Sequence, residues 1–311
     1  MTMVLRLGTR GSELALWQAR RVSGLIADRL GVECSIEVVK TRGDQIQNVA
    51  FHKMEGKGFF TKELQEALLD RRVDLVVHSL KDLPTEEPAG LALVAIPERH
   101  TPAELLLAAP GTLHPTPADP LGLPEGAVLG TSSLRRAAQA LAMRPGLKVE
   151  ALRGNVPTRV RKLRDRNYDA ILLAAAGVQR LGLDLAGLDC RELEPEVMLP
   201  APGQGALAIE ARADDPASKT LAALHSGEVA ACVYAERRLL ELLGGGCHLP
   251  LGCLATPETD GLRLRAVLGD VDQEITRAQV ARVGAVAPTV EAVARACYEA
   301  LRLAMPGVVG A

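Results

Sequence analysis

Between Val4 and Leu181 the chain repeats one pattern: a short apolar run, a few small or charged polar residues, then apolar positions at helical spacing. Val4-Leu5-Arg6-Leu7-Gly8 breaks into Thr9-Arg10-Gly11-Ser12 and a helix from Glu13 to Leu30, whose apolar face is Leu14, Trp17, Val22, Leu25 and Ile26. Ser35–Val39, Leu75–Val77 and Leu91–Ile96 are further runs of the same kind, with a helix from Thr61 to Asp70 between the first two. Such short apolar runs are buried parallel strands, and their alternation with helices predicts an α/β fold.

A second set repeats the design. Ala127–Gly130, Val149–Leu152 and Tyr168–Leu173 read as strands, with helices opening at Leu134 and spanning Thr158–Arg166. Two proline-marked segments separate the sets. Pro97–Pro124 holds a crossing near residue 100, with a short strand or helix around Ala103–Ala109; Glu196–Gly205 holds the return, and Ala206–Glu210 then rejoins the first sheet. Two crossings between two α/β domains predict a hinged cleft. From Leu221 the pattern changes to a helix (Val229–Leu243), strands at Leu262–Leu268 and Gln273–Arg282, and a last helix at Thr289–Ala304. The expected domains are 1–101 with 203–220, then 102–202, then a small α+β domain at 221–311.

The polar residues that close these strands carry the chemistry. Leu75–Val77 runs into His78-Ser79-Leu80-Lys81-Asp82-Leu83-Pro84, which puts polar side chains at the carboxyl edge of a sheet, where open α/β folds bind ligands. Arg10 and Ser12, then Thr131, Ser132 and Ser133 before Arg135 and Arg136, then Arg153-Gly154-Asn155 before Arg159, and Gly177–Arg180 all fall near expected helix starts. Free N–H groups and the positive dipole end suit anions there. Each motif alone reads more readily as a capped helix or, for Lys81 and Asp82, a surface ion pair than as a binding site. Several together, each with an arginine, imply a ligand with several negative groups.

Composition narrows the partners. Lys plus Arg is 36 and Asp plus Glu 38 in 311 residues, a net charge of −2, and aromatics are 2%. That disfavours nucleic acid even though Arg159, Lys162 and Arg166 share helical spacing. The longest apolar run, Ala170–Val178, is too short to span a bilayer, and the N-terminus runs straight into patterned sequence, so a cytoplasmic protein is expected. The cysteines (Cys34, Cys190, Cys232, Cys247, Cys253 and Cys297) form no metal-ligand pattern, so no metal is expected. Cys247 stands out: three glycines precede it and His248 follows, leaving its sulfur an open approach, although a tight turn with an inert thiol has the same sequence.

The ordered motifs together resemble the porphobilinogen deaminase family. They are Leu7–Ser12 with Ala15–Ala19, Thr41–Asp44, Gly56–Phe60, His78–Pro84, Gly130–Arg136, Leu152–Asn155 with Thr158-Arg159, Ala176–Gly182, Pro202–Ala206 and Gly245–Cys247. One departure is His100-Thr101-Pro102-Ala103-Glu104, where the family usually has an acidic Pro-Arg-Asp-type segment. The resemblance implies two hinged α/β domains like those of periplasmic binding proteins, plus a small C-terminal α+β domain. It implies stepwise head-to-tail condensation of four porphobilinogen molecules to hydroxymethylbilane with release of ammonia, in tetrapyrrole biosynthesis. It implies a dipyrromethane cofactor joined to Cys247 by a thioether, and Asp82 as the catalytic carboxylate facing pyrrole nitrogens.

By the same resemblance Arg10, Ser12, Ser79, Lys81, Thr131, Ser132, Ser133, Arg135, Arg136, Arg153, Gly154, Arg159 and Arg180 bind acetate and propionate groups of cofactor and substrate. Gln18, Lys53, Lys57, Phe60 and Gln204 are further positions of this kind, with Lys53 and Lys57 on an expected lid. The partners implied are porphobilinogen, the growing oligopyrrole and a hand-off to uroporphyrinogen III synthase, with no nucleic acid and no membrane. A closed three-domain unit needs no second copy, so a monomer is expected. The hinged architecture also fits a non-enzymatic binding protein for anionic solutes, against which the Gly-Gly-Cys loop counts.

Overall fold

The computed structural model describes residues 4–41, 61–245 and 249–309. They divide into two compact units, one of 4–41, 61–100 and 203–231, the other of 101–202, 232–245 and 249–309. Lys53, Lys57, Phe60 and Cys247 lie outside the described residues.

The first unit is built on a five-stranded mixed sheet. β1 (Val4–Thr9) pairs in parallel with β2 (Glu33–Val38) and β3 (Leu75–Ser79). β10 (Leu207–Arg212), the first strand after the return crossing, runs antiparallel between β3 and β4 (Leu91–Ala95). The helix predicted at Glu13–Leu30 spans those residues as α1, because Ser12 caps its start and Gly31, at φ 66°, ends it. One sheet face packs α1 through Leu5, Leu7, Leu75, Val77, Val22 and Ile26; the other packs α2 (Lys62–Leu69) through Leu64, Leu68 and Val76. Fully burying each such leucine or valine is worth about 1.5–3 kcal/mol.

The second unit repeats this sheet. β6 (Val128–Gly130) pairs in parallel with β7 (Lys148–Glu150) and β8 (Ala170–Ala174). β5 (Glu104–Ala108), the first strand after the first crossing, lies antiparallel between β8 and β9 (Asp189–Leu193). The orders β2-β1-β3-β10-β4 and β7-β6-β8-β5-β9 therefore match strand for strand. The matching is local as well. Gly8 sits so close to Val76, and Gly130 to Tyr168, that a Cβ would fall 2.9 and 2.8 Å from those side chains. In each unit a glycine thus lets the strand end approach its neighbour, and a threonine follows it.

A three-stranded antiparallel sheet of β11 (Leu251–Glu258), β12 (Gly261–Val271) and β13 (Ala278–Ala287) completes the second unit, covered by the last helix, α7 (Val290–Ala304). β11 was not anticipated, and the strand expected at Gln273–Arg282 begins five residues later. Asp272 accepts hydrogen bonds from the backbone N–H of Thr276 and Arg277 and from the Thr276 hydroxyl. With Ile275 at φ 56°, these bonds make a turn of residues that alternate like a strand. β9 and the short helix α6 (Pro216–Leu221) were also missed.

Candidate active site

In the first unit the polar ends of β1 and β3 meet through α1. Ser12 accepts a hydrogen bond from the Ala15 N–H at 3.3 Å, and the Thr9 hydroxyl donates to the Ala15 carbonyl at 3.1 Å. Gln18, buried on α1, donates through Nε2 to Ser79 Oγ at 2.7 Å. β3 then winds into a single 3-10 turn, Leu80–Asp82, with Leu80 buried beneath and Asp82 exposed. The turn keeps Leu80 in the core while Lys81 and Asp82 reach the surface.

The return crossing holds that turn. Lys81 Nζ donates to Gln204 Oε1 at 3.2 Å, and Arg99 Nε donates to the Gln204 carbonyl at 3.0 Å. The Leu80 N–H donates to the Ala206 carbonyl and the His100 N–H to the Gly205 carbonyl, both at 3.0 Å. Gln204 is fully buried, and Gly203, at φ 70°, lets the chain pass close over Leu80. At the departure from the family pattern, His100 stands edge-on to Trp17, with ring centroids 5.5 Å apart, and bonds Glu98 at 3.1 Å. Partial burial of Glu98 works against its charge, but Arg21 and His100 outweigh it and hold its carboxyl below the usual range.

In the second unit, Thr131, Ser132 and Ser133 precede α3 (Leu134–Met143). Ser133 occupies the cap position but forms no side-chain cap bond. Thr131 Oγ1 accepts from the Ser133 N–H at 3.2 Å instead, and Ser132 donates to the Leu152 carbonyl at 2.9 Å. Arg153 and Gly154 follow β7. Gly154 has φ 112°, and a Cβ there would fall 2.6 Å from Thr158, so the turn requires glycine. Asn155 caps α4 (Val156–Arg164), and Arg159 Nε donates to the Gly154 carbonyl at 2.7 Å. Arg153 is half-buried, and desolvation works against its charge. An anion partner would relieve that cost.

Two placements differ from the sequence reading. Arg180 lies in the last turn of α5 (Ala175–Leu181), not at a helix start, because Ala175 begins the helix directly after β8 with no loop. Arg166 lies beyond the end of α4, at φ 59°, so it shares no helical face with Arg159 and Lys162.

Glu104 was missed as a functional neighbour. It is fully buried at the start of β5 and accepts from Arg135 Nη2 at 2.6 Å and Arg136 Nε at 2.9 Å. Arg136 also donates to the Leu172 carbonyl and Arg135 to the Leu199 carbonyl. The one signal in the sequence was an acid opening the apolar run Leu105–Ala109.

In each unit, hydroxyl and guanidinium groups lie where strands give way to helices, a donor set suited to carboxylates. Two α/β units of matching sheet order, each with hydroxyl and guanidinium groups at its strand ends, and a three-stranded antiparallel sheet define the class of protein. The chain belongs to the porphobilinogen deaminase family: residues 5–220 match the model described as "Porphobilinogen deaminase, dipyromethane cofactor binding domain", and residues 230–302 match "Porphobilinogen deaminase, C-terminal domain".

The porphobilinogen deaminase of Syntrophomonas wolfei is 44% identical over 270 residues, covering 86% of this chain and 86% of that protein. That of Oceanobacillus iheyensis is 46% identical over 269 residues, covering 86% and 84%. A solved periplasmic substrate-binding protein of an ABC transporter from Coxiella burnetii aligns over 72% of this chain and 93% of its own, at 17% identity and a TM-score of 0.42. Among the described residues no helix is long and apolar enough to cross a membrane.

Proposed function

We propose that this chain is a working porphobilinogen deaminase, a transferase of tetrapyrrole biosynthesis that joins four porphobilinogen molecules head to tail, releases ammonia at each step and yields hydroxymethylbilane. The observation that carries this reading is the agreement of both family models over nearly the whole chain with strand ends furnished for carboxylates. Family membership also decides against the anionic-solute binding alternative.

The dipyrromethane group supplies the anchored pyrrole end to which new units are added. Thr131, Ser132, Ser133, Arg153, Arg159 and Arg180 are suited by their chemistry to its carboxylates and those of the growing chain, and so are Arg10, Ser12, Ser79 and Lys81. Arg135 and Arg136 contribute what Glu104 leaves of their positive field. Asp82 is the acid free of the core at the β3 end. Its carboxylate accepts from pyrrole N–H groups and stabilises the cation that forms as the substrate amine departs. It also moves protons to the leaving amine and from the pyrrole α-carbon.

Attachment at Cys247 is supported by the other cysteines. Burial pushes the thiols of Cys34 and Cys297 up to about 11, and Cys232 and Cys253 are buried. Cys190 is exposed, but partial desolvation and then Asp189 push its thiol up as well. Cys34, Cys190 and Cys297 are thus poor sources of thiolate, and Cys232 and Cys253 are closed off by burial.

Gln18, held on Ser79, and Gln204, held on Lys81, orient those side chains for substrate. Lys53, Lys57 and Phe60 are further candidates for substrate contact, Lys57 and Phe60 through the Gly56–Phe60 motif. A cytoplasmic monomer that passes its product to uroporphyrinogen III synthase completes the reading.

The test is direct. Purified protein incubated with porphobilinogen should release ammonia in proportion to substrate consumed and give a linear tetrapyrrole that closes to uroporphyrinogen on standing. Substrate that is bound but not consumed would overturn the assignment.

A further inference from the structure

β10 returns from the crossing with an unusual inner face. Its residues are all buried, yet Glu210 and Arg212 interrupt the apolar run and, two apart, share one face of the strand. Arg212 fastens the start of β3: Nη1 donates to the carbonyls of Leu68 and Val73, at 2.9 and 2.7 Å, and Nη2 donates to Asp74 at 3.2 Å. Glu210 fastens the other end. Its Oε2 takes the His78 Nε2 hydrogen bond at 3.0 Å, and its Oε1 accepts from Gln65 Nε2, on α2, at 2.9 Å. The ladder pairs His78 with Ala208, so Glu210 reaches His78 diagonally along the strand. The register between β10 and β4 shifts between Ile209 and Glu210, an irregularity of the kind that re-aims a side chain.

His78 and Glu210 are about 95% buried, and the apolar side chains on this face are Leu64, Leu68, Val76 and Leu91. A buried polar cluster is a poor source of stability, since well-packed apolar residues in its place are often as stable. What such a cluster supplies is a fixed geometry. The next residue, Ser79, points to the opposite face and is held there by Gln18 on α1. The strand end that leads into Lys81 and Asp82 is thus pinned from both faces, by α1 through Gln18 and by α2 through Gln65 and Glu210.

The geometry points to Glu210 as a positioning residue for catalysis: by holding His78 it sets where the Leu80–Asp82 turn places the Asp82 carboxylate. This rests on the assignment of Asp82 as the catalytic acid. Glu210 touches no substrate, so its loss should fall on turnover and leave substrate binding nearly intact.

The experiment compares Glu210→Ala, Glu210→Gln, Gln65→Leu, Asp82→Ala and Leu221→Ala, the last a plain cavity in the same unit's core. Each is measured for melting temperature, for cofactor content by intact mass, and for kcat per cofactor-loaded molecule and KM for porphobilinogen. Glu210→Ala should lower kcat about tenfold or more with KM within about threefold, a small displacement of a catalytic group being enough for that. Glu210→Gln should retain roughly a third or more of the activity, because an amide oxygen still serves His78 while Gln65 turns its own amide. Leu221→Ala should match the loss of melting temperature and keep kcat within about twofold, which a purely structural role for Glu210 could not explain.

Should Glu210→Ala not fold, Gln65→Leu carries the test with an expected fall in kcat of about threefold. An unchanged kcat per loaded molecule in both variants, with Asp82→Ala inactive, overturns the positioning role and leaves the catalytic assignment standing. An active Asp82→Ala overturns both.

Discussion

Arg135 and Glu104 meet at 2.6 Å where the guanidinium is 6% exposed and the carboxylate 0%. Arg136 shares the same carboxylate, so one acid on β5 holds two arginines at the start of α3. Burial works against the charge on Arg135, and the Glu104 carboxylate is the chief influence that supports it. Removing the acid leaves two like charges in a dry site. Glu104→Ala should therefore cost about 3–5 kcal/mol, the range for breaking a buried ion pair from one side. Urea unfolding checks it; a loss below about 1 kcal/mol would mean that water reaches the arginines.

Asp82 should behave in the opposite way. Its side chain is exposed, so Asp82→Ala should change stability by no more than about 0.5 kcal/mol. Turnover per cofactor-loaded molecule should fall by about a hundredfold or more, the scale for losing a group aimed at developing charge. Thermal melting and ammonia release, measured on one preparation, separate the two effects.

Acid stability should depend on Asp74, which joins Arg6 on β1 and Arg212 on β10. Desolvation raises its pKa, but the hydrogen bonds from Arg6 and Arg212 outweigh that and hold the carboxyl below its ordinary value. A lowered folded value stabilises the protein above the unfolded value of about 3.9 and ceases to do so as pH falls through the folded one. The melting temperature of Asp74→Asn should thus lie below the parent's at neutral pH, with the gap closing below about pH 4. A gap that widened on acidification would contradict the sign.

Gly130→Ala tests the close approach that seats Thr131. The added Cβ would fall 2.8 Å from the Tyr168 ring, whose hydroxyl is tied to the Ala151 carbonyl at 2.8 Å. The ring cannot swing away without losing that bond, so a cost of about 1–3 kcal/mol is expected in thermal unfolding.

The strand-to-helix alternation made the class of fold legible, and α1 was legible to its ends because Ser12 and Gly31 are local signals. The β13 boundary was not, because the Asp272 side-chain bonds that make the turn cannot be read from alternation. Arg180 was set at the wrong end of its helix because an alanine run gives no mark where a strand stops and a helix begins. The arginines and hydroxyls of the site were visible as residue types at strand ends. Their partners were not: Glu104 is 31 residues from Arg135, and Gln204 is 123 from Lys81. Local pattern has no access to a contact made by the fold.

Cys247 is proposed to carry the primer to which this chain's product is built. The intact mass of freshly purified, active protein tests it most directly. The expected mass is that of the polypeptide plus one adduct of two pyrrole units, found on the peptide containing Cys247 after digestion and absent from Cys247→Ser. Active protein at the unmodified polypeptide mass would contradict it.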